Sequence, residues 1–130
     1  MRELSAQQVA SGYKRPKHGP TKKKVLSPEE RRASRLYFNI VKRSKMRELE
    51  MTLTLDQVKR MVVSFCNSNY YELDSKSPFR PSIDRIDVTK GYTESNCRVM
   101  WVIENYARHV FTDEQVWEFC KRKIKSRKLR

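Results

Sequence analysis

The chain holds only three cysteines, Cys66, Cys97 and Cys120, among 130 residues, and no paired C-x-x-C motif. An odd and widely spaced set builds no disulfide framework, so buried free thiols are expected. Without paired cysteines no structural zinc is expected either. No apolar run approaches the roughly 18–20 residues that a bilayer-crossing helix needs. No signal-peptide core follows the N-terminus, so a cytoplasmic protein with no membrane partner is expected.

Acidic residues are scarce as well. Lys and Arg outnumber Asp and Glu by 29 to 15, for a formal net charge of +14 and a sequence pI near 10.0. Such a surplus points to a polyanionic partner, because neutralised phosphates release counterions and drive association. Nucleic acid is the first expectation, DNA ahead of RNA. Ribosomal proteins, architectural DNA binders and membrane-surface proteins share this charge, so it names a partner class and no activity.

The length suits one domain with tails. Residues 1–26 carry basic residues among Gly and Pro with little to bury, and read as a disordered basic arm. Ser27-Pro28-Glu29-Glu30 reads as an N-cap, a proline at the first helical position and a capping-box Glu. The helix that follows has an apolar stripe of Leu36, Ile40 and Val41 and should end near Arg47 to Leu49. Thr54 caps a second helix bearing Leu55, Val58, Met61, Val62 and Phe65, and a loop is expected from Cys66 to Pro81. Ser82 to Ile86 and Cys97 to Trp101 read as short strands, Val102 to His109 as a helix, and Thr112 as the cap of a last helix. The domain then spans 27–125, with a helical part at 27–66, a strand–loop–strand–helix unit at 81–110 and a helix at 112–125. A basic tail at 126–130 completes seven Lys/Arg among the last ten residues. Trp101, Phe111, Trp117 and Phe119 fall at helical or strand positions and are expected in the core.

The segment PSIDRIDVTKGYTESNCRVMWVIENYARH, from Pro81 to His109, is the one stretch that points to a chemistry. Its D-R-I-D-x-x-K-G-Y-T-x-x-N string, followed nine positions after Asn96 by Asn105, resembles the HNH nucleases in their phage-type form. The resemblance is firm over Pro81–His109, looser over Ser34–Phe65, and does not reach residues 1–26. It implies an α+β fold, a small ββα-metal (His-Me finger) core flanked by helices. In that family the first strand supplies a metal ligand followed by a catalytic His, the loop an Asn that fastens it, and the helix further ligands. Zinc-bearing relatives hold a cysteine pair near Phe65–Tyr70, where this chain keeps only Cys66, so packing must replace the metal.

By that resemblance Asp84 takes the place of the strand ligand for one Mg²⁺ or Mn²⁺, hard ions that prefer oxygen. The alternative is an Asp that ties down the loop or pairs with Arg85 or Lys90. Arg85 stands where the family has its general-base His. A guanidinium cannot take a proton from water near neutral pH, but it can clamp a phosphate bidentately. The base is then a metal-bound water, Tyr70, Tyr71, Tyr92 or a substrate phosphate oxygen. Asp87 reads as a loop former ahead of a second ligand. Asn96 fastens the loop by side-chain hydrogen bonds. Asn105 and His109, four apart, share a helix face. Asn105 would ligate the metal through its amide oxygen, and His109 would be a second ligand, a phosphate contact or a residue capping the helix end.

The resemblance implies a divalent-metal-dependent endonuclease that nicks or cleaves DNA, encoded by a phage or mobile element and acting in the host cytoplasm, as a homodimer or beside phage or host machinery. Backbone contacts are assigned to Arg85, Lys90, Lys22, Lys23, Lys24, Arg31, Arg35, Lys42, Arg43, Lys121, Arg122 and Lys125. The alternative is an HNH-derived module that has lost its base and binds nucleic acid within a larger nucleoprotein assembly. Retention of Asp84, whose carboxylate repels phosphate unless a cation lies between them, speaks for the nuclease.

Overall fold

A computed structural model describes Gly12 and residues 24–128 of the chain. Of the expected disordered arm, residues 1–11 and 13–23, Lys22 and Lys23 among them, lie outside the described residues, as do the last two residues of the tail.

Helix α1, Pro28–Arg47, starts as its sequence dictates. The Ser27 hydroxyl accepts the Glu30 amide at 3.1 Å, and the Glu30 carboxylate accepts the Ser27 amide at 3.3 Å. Ala33, Leu36, Ile40 and Ser44 recur at three- and four-residue steps and form its buried face. Helix α2, Leu55–Ser68, has a matching capping box between Thr54 and Gln57 and buries Val58 and Val62 completely. It runs past Cys66, where a loop was expected. Asn67 and Ser68 are polar yet tolerate helical backbone, and the helix stops only when Asn69 turns extended and its side-chain Nδ2 donates to Phe65 O.

Strand β1, Pro81–Arg85, pairs antiparallel with β2, Cys97–Trp101, setting Asp84 opposite Arg98 and Arg85 opposite Cys97. The short helix α3, Val102–Arg108, follows directly, and α4, Asp113–Lys128, closes the described chain. Residues 126–128, expected in the tail, therefore continue α4. The fold is α+β, helices around a small two-stranded antiparallel sheet. Its core lies between α1, α2 and the sheet and comprises Ala33, Leu36, Ile40, Leu53, Val58, Val62, Ile83, Tyr92 and Cys97. Burial of such aliphatic side chains stabilises by roughly 1.5–3 kcal/mol each. Among the described residues no helix is long and apolar enough to cross a membrane.

Packing does hold the loop between α2 and β1. Tyr70, Phe79, Trp101 and Phe65 meet edge to face in series, and the Trp101 indole N–H donates to Tyr70 O at 2.7 Å. None of the four aromatics expected in the core is part of it: Trp101 is half-buried in this series and the other three are exposed. Phe111, Trp117 and Phe119 are 54, 59 and 61% exposed. Helical spacing marks a face that could be buried, but among the described elements only α3 makes more than slight contact with α4, and the face stays exposed. The thiols are free as expected, yet only Cys97 is buried; Cys66 is half-buried and Cys120 exposed.

Candidate functional site

Asn96 holds the 86–96 loop together. Its Oδ1 accepts the Asp87 amide at 2.9 Å, and its Nδ2 donates to Asp87 O at 3.1 Å and Gly91 O at 2.8 Å. Asp87 forms a turn, accepting Thr89 N and Oγ1 at 2.9 and 2.6 Å, and these bonds hold its carboxyl below the usual range. The far end is clamped by the Tyr92 amide to Glu50 O at 2.8 Å. Gly91 lies so close to the Glu50 backbone that a Cβ would collide with it.

Arg85 belongs to this loop. Its Nη1 donates to Val88 O and Lys90 O, both at 2.9 Å, and its guanidinium lies 5.2 Å from the centre of the Tyr92 ring. Strand alternation turns it away from the face of Asp84. The Lys90 side chain is exposed. Tyr92 is only 4% exposed. The Glu72 and Glu29 carboxylates, as hydrogen-bond acceptors, hold the Tyr70 and Tyr71 phenols above their ordinary values, opposite to what a base near neutral pH requires.

On the opposite face, Ser82 and Asp84 meet α3. Asn105 Nδ2 donates to Ser82 Oγ at 3.2 Å and Ile83 O at 3.3 Å. Asp84, with its side chain 7% exposed, accepts Arg98 Nε at 3.0 Å and Arg108 Nη1 at 2.8 and 3.0 Å. Arg98 also forks onto Asp113 at the start of α4, with two bonds of 2.8 Å. Arg108 Nε lies 3.0 Å from Asp113 Oδ1, a charge contact without hydrogen-bond alignment. Arg108 further donates to Arg85 O and Ile86 O. Two carboxylates and two guanidinium groups thus form a formally neutral square. Hydrogen bonding to Asp113 raises the Arg98 pKa, and Arg98 in turn lowers that of Asp113.

Sequence reasoning missed Arg98, Arg108 and Asp113. The signal for Arg98 was its place in the strand register, directly across from Asp84. Arg108 lies one helical turn after Asn105, on the face that was assigned to His109. His109 does not share that face: α3 ends at Arg108, and His109 leaves it with φ 35° and an exposed side chain. The two residues that α3 directs at β1 are Asn105 and Arg108.

As donors, the Asp84 carboxylate and the Asn105 amide oxygen suit a hard divalent ion. The Asn105 oxygen accepts no hydrogen bond from the described residues. Both Asp84 oxygens, however, already accept guanidinium hydrogens, so an ion must compete with Arg98 and Arg108 for them. Among the described residues no group of three or more His, Cys, Asp and Glu side chains could hold a metal.

The other described basic residues that were assigned to backbone contacts lie on the surface. Arg31, Arg35 and Lys42 follow one another at helical spacing along exposed α1, with Phe38, 63% exposed, between them. Lys24 and Arg43 are exposed nearby, and Lys121, Arg122 and Lys125 are exposed on α4, where Arg122 pairs with Glu118 at 2.9 Å. Compared with protein-family models, curated proteins and solved structures, the chain matches none of them.

Proposed function

We propose that the protein is an HNH-like endonuclease that engages DNA through its phosphates and cleaves it with Mg²⁺ or Mn²⁺. One observation carries the reading: the motif lies on consecutive strand, loop, strand and helix, with Asn96 closing the loop and Asn105 of α3 bonded to the strand that bears Asp84. Asp84 and Asn105 would hold the ion, which when bound supplies a Lewis acid for the phosphoryl oxygens. His109, exposed beyond α3, is free to meet the ion or a phosphate. Arg85 keeps the loop in shape, and its bonds to Val88 and Lys90 hold its charge beside that loop. The basic surfaces of α1 and α4 provide backbone contacts that position DNA without reading its bases.

A specific observation favours a second reading. Asp84 is already neutralised by two arginines, as in a scaffold that binds nucleic acid and no longer cleaves it. Incubation with supercoiled plasmid in Mg²⁺, Mn²⁺ or EDTA separates the two. Ion-dependent nicking that Asn105→Ala and Asp84→Asn abolish, with DNA binding and folding retained, supports the nuclease. Binding without nicking in either ion supports the silent module.

A further inference from the structure

Next to Asn105, in a cleft whose lining shares no residue with the neutral square, the charge is not balanced. Arg32, Arg43 and Arg80 line a single cleft of about 180 Å³ between α1, the start of β1 and α3, together with Asn39, Asn105 and Tyr106. Among the described residues no carboxylate lines it. The volume is several times the roughly 30 Å³ share of one water molecule, room enough for a tetrahedral anion.

The arginines are held in ways that leave donors over. Arg32 forks onto Pro81 O with Nε at 3.0 Å and Nη2 at 2.8 Å, which fixes its plane and leaves Nη1 unused among the described residues. Arg80 is steadied by one bond from Nη1 to Ser77 O at 3.0 Å. Arg43 is exposed and has no hydrogen-bond or ion-pair partner among the described residues. With no acid among the described residues that line the cleft, the Arg32 and Arg80 guanidinium groups repel each other. Burial first, then Arg80 and Arg35, push the Arg32 pKa down. Arginine stays charged regardless, so a bound anion is what relieves the repulsion.

We propose that this cleft is an oxyanion site for a phosphate group, supplied by a nucleic-acid backbone, so that one phosphate is seated beside Asn105. This rests on the nucleic-acid reading above and adds the place of contact. Guanidinium forks suit phosphate oxygens. The source is a backbone because the cleft opens beside the exposed basic line of α1 and because Tyr106, 76% exposed at its edge, offers a ring on which a base can stack. Arg32, Arg80, Asn39 and Tyr106 thereby join the interface.

The test measures binding of the full chain to a labelled DNA duplex, and to its single strand, over a series of salt concentrations. The wild type is compared with Arg43→Ala/Arg80→Ala and with Arg60→Ala, which removes an exposed charge from α2. The expected result is an affinity loss of about tenfold or more in the cleft variant and a salt slope lower by about one. Arg60→Ala should change affinity far less, and Arg43→Lys should restore part of what Arg43→Ala loses. Equal affinities and slopes for wild type and cleft variant overturn the inference and leave nucleic-acid binding standing. Loss of binding by the wild type itself overturns the reading beneath it. Inorganic phosphate is the second probe. Thermal stabilisation of the wild type by phosphate, absent in the cleft variant while DNA binding is unchanged, assigns the site to free phosphate and overturns the backbone assignment.

Discussion

Arg108→Met removes a guanidinium whose side chain is only 12% exposed and which bonds Asp84, Arg85 O and Ile86 O and approaches Asp113. Methionine keeps much of the aliphatic length, so the loss is of charge and hydrogen bonds. Removing one partner of a buried ion pair costs about 3–5 kcal/mol, because a charge is left without compensation. Arg98 still reaches Asp84 at 3.0 Å, which places the expected cost near the lower bound, about 3 kcal/mol. For a domain of this size that lowers Tm by on the order of 10–20 °C. Urea unfolding followed by circular dichroism gives the number. A double-mutant cycle with Asp84→Asn isolates the pair, and a coupling of about 1–2 kcal/mol is expected. A loss below about 1 kcal/mol for Arg108→Met, or additive effects in the cycle, would refute the keystone role of the square.

The same square makes stability depend on acid. The folded-state pKa of Asp113 is lowered by Arg98, so its contribution is complete above the unfolded value of about 3.9 and is lost as pH falls through the folded value. Asp113→Asn should flatten the loss of stability below about pH 4, and an unchanged acid limb in denaturant titrations counts against the pairing. Asn96→Ala deletes three side-chain bonds to the loop and should cost about 2–3 kcal/mol, measured by thermal melting; a loss under 0.5 kcal/mol contradicts the fastening role, by roughly the margin seen at surface sites. Burial pushes the Cys97 thiol up to about 11, so in the native protein at pH 8 iodoacetamide should label exposed Cys120 and leave Cys97 unmodified by peptide mass spectrometry. Early labelling of Cys97 contradicts its burial.

What was legible in the sequence was local. Ser27, Thr54 and Thr112 each bond the backbone three residues on, so type and spacing were enough to place three helix starts. Cys97 to Trp101 was readable as a strand, and a helix follows it directly from Val102. The square was not legible, since its bonds span 14, 15 and 24 positions and depend on how α3 and α4 meet the sheet. The end of α3 was missed for a related reason: His109 takes a left-handed φ, a backbone choice made where α3 turns into the next segment. Arg85 marks a different limit. Alternation alone separates it from Asp84, but its place in the motif drew it toward the phosphate. The aromatics of α4 show that periodicity locates a face without naming what covers it.

The central claim is tested most directly by single-turnover incubation of the full chain with a pool of random-sequence duplex and single-stranded DNA in Mn²⁺ or EDTA, with every new strand end sequenced. A pool removes dependence on one target. The account predicts Mn²⁺-dependent ends that vanish in Asn105→Ala while that variant still binds the pool. Full binding with no new ends in either condition contradicts it and leaves a nucleic-acid-binding scaffold whose Asp84 serves its arginines alone.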